Sequence, residues 1–179
     1  MPFRFLASAL FCLSLVATAS ARELTTTERQ ALPGALGSFR DALAAQDVVT
    51  VMSFIPPPVA EGMAEHMGMT VPDMVRALAD RTAESGDLVS VRSVALDLDA
   101  AEALEAGGEP YLLIPTEIVV TFPEAGTIRE RSHTLAFPEQ GEWRLLRLGD
   151  DEGRTLLKVV YPRFSDVDLP ESTVEKLAP

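Results

Sequence analysis

Around Ser85-Gly86-Asp87 the apolar spacing of this chain changes from a helical period to a strand period, and that change bounds the fold. Before it, Leu32, Leu36, Phe39 and Leu43 fall at i, i+4, i+7 and i+11, a single helical stripe. After it, Leu112, Ile114, Ile118, Val120 and Phe122 share the even positions of one segment, the two-residue repeat of a strand. Helices first and strands second argue for α+β, with helices segregated on one face of an antiparallel sheet.

Local chemistry punctuates the helical half. Pro33 suits only a first turn, which predicts a helix starting near it. Asp47 reads as the N-cap of a second helix, stopped by Pro56-Pro57-Pro58. Pro58 opens a third helix, and Gly68 is its left-handed terminus. Thr70 and Asp73 resemble a capping box, with Pro72 in the first turn of a fourth helix.

Four strands are expected in the second half, over residues 88–99, 111–122, 127–137 and 142–148. The connection over 100–110 contains at most one helical turn and stops at Gly107-Gly108. Pro115 predicts a sheet edge or a bulge. Two turns of the pattern Pro-Glu-x-Gly, at 123–126 and 138–141, predict hairpins and therefore a meander. The acidic run over 149–153 reads as a solvated turn rather than a calcium loop. Residues 155–161 fit a strand or a two-turn helix, and Leu156, Leu157 and Val160 favour the helix. The expected organisation is one domain over 22–179, with its core over 27–164 and a loosely packed tail over 165–179.

Three or four helices followed by long strands, with Trp143 near the start of the last, resemble the nuclear-transport-factor-2-like superfamily. The resemblance spans about residues 27–150 and implies N-terminal helices packed on a curved antiparallel sheet in a cone-shaped fold. It also implies a pocket between sheet and helices, and a sheet face able to dimerise. Superfamily members include isomerases, dehydratases and non-catalytic binding domains.

Residues 1–21 carry Arg4, an apolar run over 5–16 and Ala19-Ser20-Ala21, the pattern of a signal peptide cleaved after Ala21. The run is shorter than the roughly 20 residues that span a bilayer, so export to the periplasm or medium is expected, without a membrane anchor. Cleavage would remove Cys12, the single cysteine, and with it disulfide, thiol and thiolate chemistry. The whole chain has a net charge of −12, which disfavours nucleic acid and anionic membrane as partners.

Three chemistries compete for the singled-out residues. Met63, His66 and Met67 lie at i, i+3 and i+4, a spacing that suits soft Cu(I) ligands and equally suits core packing or a pocket wall. Glu117 and His133 lie on adjacent expected strands, and the resemblance makes them candidates for an acid/base pair on a small apolar substrate. Met63, Met67, Met74, Trp143 and His133 would line a pocket for a small apolar ligand. Arg144 and Arg147 would pair with Glu117 or Glu130, or receive an anion. No nucleophile elbow, H-E-x-x-H, Walker loop or dinucleotide fingerprint occurs, and no cofactor is expected. The leading expectation is an exported, non-catalytic domain that binds a small ligand or a protein, with a homodimer through the sheet face as one form.

Overall fold

A computed structural model describes residues 22–86 and 88–178. The expected signal segment and Cys12 lie outside the described residues. Four helices come first: α1 (Thr26–Ala45), α2 (Val48–Phe54), α3 (Pro57–His66) and α4 (Val71–Ser85). Five strands follow: β1 (Ser90–Leu96), β2 (Glu102–Ala106), β3 (Glu109–Phe122), β4 (Gly126–Glu139) and β5 (Glu142–Arg147). Helix α5 (Asp151–Val160), a 3-10 turn (Pro162–Phe164) and β6 (Thr173–Lys176) close the chain. The class is α+β: helices pack on a curled antiparallel sheet that forms a half-barrel.

The caps explain several boundaries. Asp47 accepts from the Thr50 amide at 3.1 Å and starts α2. Thr70 accepts from the Asp73 amide at 3.3 Å and starts α4. Gly68, at φ +68, ends α3 in the left-handed region. The acidic run over 149–153 is a helix start and not a free turn. Asp150 accepts from the Gly153 amide at 2.7 Å, and residues 155–160 are helical.

Helix α1 departs from expectation. It begins at Thr26 and carries Pro33 in its interior. Thr25 and Glu28 form a reciprocal capping box that starts the helix a full two turns before the proline. The Arg29 carbonyl, which Pro33 cannot serve, belongs to an exposed residue where water can replace the lost bond.

β3 and β4 form the spine, paired from Leu112↔Ala136 to Phe122↔Gly126. β1 pairs with one half of β3 and β2 with the other. Pro115 falls in the gap between them, so its missing N–H removes no ladder bond. Its carbonyl still accepts from the Asp97 amide at 2.9 Å. The bulge lies elsewhere, at Arg92 between Val91 and Ser93 of β1. Residues 102–106 form a strand rather than a helical turn. Gly107 and Gly108 both have positive φ, the geometry of a two-residue hairpin. Gln140 and Gly141 do the same between β4 and β5, which leaves Pro138 within the strand, opposite Trp143.

The helices divide between the two sheet faces instead of sharing one. Leu32, Leu36 and Phe39 of α1 cluster with Leu112, Ile114, Ala136, Trp143 and Leu145. These strand residues share one face by register. Leu113, Leu135, Phe137 and Leu146 point the other way and cluster with Val59 of α3, Leu157 of α5, Phe164 and Leu169. The crossing happens at α2. Val51 and Phe54 pack on the first cluster and Met52 on the second. Seven residues of helix and the proline run that follows carry the chain round the β5 edge. The tail is not loose: Leu169 is 6 % exposed and β6 pairs with β4.

Candidate functional site

β3 and β4 are each 14 residues long, about 45 Å at the usual rise. The clusters with α1 and α5 engage one half of that length. The other half carries two surfaces of opposite character.

On the α1 face, Val91, Val120 and Ile128 are cross-strand neighbours, as are Val94 and Ile118. Phe122 extends the row and Val174 of β6 borders it, 65 % exposed. The first six are half-buried, and none belongs to or packs on either core cluster. A row of hydroxyls separates this apolar patch from the core. Thr116, Ser132 and Thr134 are 3, 4 and 0 % exposed. Thr116 Oγ1 donates to the Ile114 carbonyl at 3.0 Å, which leaves Thr134 as donor in the 2.8 Å hydroxyl pair. Ser132 Oγ has no protein partner. An Arg147–Glu130 ion pair borders the row. Its guanidinium lies over Gly149, where a Cβ would require the arginine to shift.

The opposite face of the same half is ionic. Glu117 accepts from Arg131 at 3.2 Å and forms an ion pair with Arg129 at 3.3 Å. Both arginines also reach Glu175 of β6, at 3.5 and 3.2 Å. The network couples β3, β4 and the C-terminal strand. His133 shares this face, opposite Pro115, and its Nδ1 is buried without a hydrogen-bond partner. The pairing register puts Glu117 and His133 on one face, and the carboxylate is engaged by guanidinium groups.

The remaining candidates are distributed. Met74 is 0 % exposed and Met63 packs on the α5-face core. Met67 is 42 % exposed. His66 faces solvent, with Nε2 3.5 Å from Glu152 Oε1. The helical face that groups Met63, His66 and Met67 in sequence is thus split between core and water. Among the described residues, no three His, Cys, Asp or Glu side chains converge as a metal site. Trp143 is 6 % exposed and its indole N–H donates to the Glu28 carbonyl at 2.9 Å. It ties β5 to the first turn of α1. Arg144 pairs with Glu139 and Glu142 rather than with Glu117 or Glu130.

Two surface clefts lie among the helices. One, of about 710 Å³, sits at the α3–α4 corner and is lined by Ala64, Met69, Val71, Glu61, Glu65 and Asp73, with Gly68 and Thr70 at the turn. A smaller one, of about 280 Å³, lies between residues 45–49 and the end of α4. Glu117, His133, Met63, Met67, Met74 and Trp143 line neither. Sequence reasoning grouped Ile118, Val120 and Phe122 on one side of a strand without marking them as a site. The available signal was length: their apolar alternation runs past the reach of a single crossing helix.

Searched against protein-family models, curated proteins and solved structures, the chain matches none of them.

Proposed function

We propose that this protein is an exported, non-catalytic interaction module that pairs with a second copy of itself through the open apolar half of the α1 face. The observation that carries the reading is the row Val91, Val94, Ile118, Val120, Phe122 and Ile128, half-buried and unused by either core. With three strands about 4.8 Å apart and a rise of about 3.3 Å per residue, the row has a footprint on the order of 250 Å². It is about a third of what each partner buries in a standard interface, so it serves as the apolar centre of a larger, polar-rimmed contact.

Charge supports a second copy. The whole chain has a net charge of −12. Among the described residues, the charged groups that share the open half of this face by register are the Glu130–Arg147 pair and Lys176. Two copies meet there with less repulsion than at an acidic surface. A cone-shaped fold of the nuclear-transport-factor-2-like kind is part of this proposal, and the helices on a curled antiparallel sheet agree with it. Export rests on the signal pattern over residues 1–21. Catalysis by Glu117 and His133 has less support, because two arginines hold the carboxylate.

Sedimentation equilibrium of the mature chain tests the reading. A dimer is expected at micromolar concentration, with Val120→Lys shifting it to monomer while the far-UV spectrum is unchanged. A wild-type chain that stays monomeric at millimolar concentration would overturn it.

A further inference from the structure

The α3–α4 corner is independent of the sheet face and has a different chemistry. The chain leaves α3 through Met67-Gly68-Met69, with the Met69 amide donating to the Ala64 carbonyl at 3.0 Å and the Gly68 amide to the Glu65 carbonyl at 2.9 Å. A Cβ added at Gly68 would meet nothing within 4 Å. The apolar part of the lining is Ala64, Met69 and Val71, and the charged part is Glu61, Glu65 and Asp73. No lysine or arginine lines it.

Two of these carboxylates are not explained by the fold. The Asp73 carboxylate accepts from the hydroxyl of Thr70, the N-cap of α4, at 2.7 Å and pairs with Arg76 at 3.1 Å. Glu61 and Glu65 sit four residues apart on one helix face, and among the described residues neither has an ion-pair partner. The His66 imidazole, on the same helix, is directed at Glu152 instead. Like charges at this spacing destabilise a helix, and opposite charges would stabilise it. Beside them, methionine offers a deformable apolar contact that adapts to different side chains.

We propose that this corner is a docking groove for a cationic amphipathic peptide segment. An aliphatic or aromatic anchor of the peptide would seat on Met69, Val71 and Ala64, and flanking lysines or arginines would pair with Glu61 and Glu65. A volume of about 710 Å³ falls in the range that accommodates a ligand of a few side chains. Acidic residues at the rim steer such a segment and set its orientation, while the apolar contact holds it.

A fluorescein-labelled peptide of alternating lysine and leucine is the probe, with its glutamate–leucine counterpart as control. Anisotropy at low salt is expected to show micromolar binding of the cationic peptide alone. The Glu61→Lys/Glu65→Lys double variant should weaken it about tenfold, and Met69→Asp should do the same. An equal charge reversal outside the cleft, Asp80→Lys/Glu84→Lys on α4, should change it less than about twofold. Absence of cationic binding, or a loss at Asp80 and Glu84 equal to that at Glu61 and Glu65, would sink the proposal. The second outcome would mean diffuse attraction to an acidic surface. Circular dichroism of each variant separates loss of binding from loss of fold.

Discussion

Tyr161 closes an aromatic cluster on the α5 face, edge-on to Phe137 at 5.4 Å between ring centres. Its hydroxyl donates to Glu139 Oε1 at 2.8 Å. The Arg163 guanidinium stacks 4.6 Å from the Phe137 ring and near Tyr161 and Phe164. Burial first, and the bond to Glu139 second, push the Tyr161 phenol above its ordinary value. The folded state therefore holds this proton more tightly than the unfolded chain. The associated stability is complete below about pH 10 and is lost as pH rises beyond it. Tyr161→Phe should flatten the alkaline limb of a urea-denaturation series without abolishing it. The remaining slope comes from Tyr111, whose phenol burial also raises. A variant with the same alkaline slope as wild type would refute this account. Residues of this kind were invisible in the sequence, because Tyr161 and Glu139 are 22 positions apart and meet only when α5 folds back on β4.

At the scale of elements, caps and glycine turns were legible and pairing was not. Helices α2 and α4 begin at the caps Asp47 and Thr70, and α3 gives way at left-handed Gly68, all local matters. Residues 102–106 have weak intrinsic strand preference and become a strand because β3 offers a ladder across a Gly-Gly turn. Pro33 was misleading for a related reason. Its cost to a helix interior is real, yet the capping box and the packing of Leu32, Leu36 and Phe39 on the sheet outweigh it. Pro33→Ala should restore an intrahelical bond at an exposed site and stabilise the protein by about 1–3 kcal/mol. Part of that gain is offset by the greater freedom of the unfolded chain. Thermal denaturation would measure it, and an unchanged or lowered midpoint would show that α1 does not bear the expected penalty.

For the molecule as a whole, the C-terminal tail is a structural member. Leu169 is buried in the α5-face core, Ser172 Oγ donates to the Gly149 carbonyl at 2.7 Å, and β6 covers residues 128–131 of β4. Glu175 adds the two arginine contacts that tie β6 to Glu117. A chain ending after Phe164 should lose at least about 3 kcal/mol from the missing Leu169 packing alone. It should also self-associate through the uncovered β4 edge. Chemical denaturation and size-exclusion chromatography would report the two effects separately. A truncated chain of wild-type stability would mean that the tail merely lies on the surface.

The sequence by itself determined the class, the order of helices before strands, the starts of α2 and α4 and the alternation that sorts each long strand into two faces. These follow from short-range rules: caps, prolines, left-handed glycines and side-chain period act within a few residues. Tertiary structure alone decided which helix covers which face, where a proline is tolerated, and that the tail returns as a sheet strand. It also decided that Met63, His66 and Met67 part company between core and solvent, and that Glu117 faces arginines. Alternation states which residues share a face. What covers that face depends on the path of the chain, and here the path leaves half of an apolar sheet surface open.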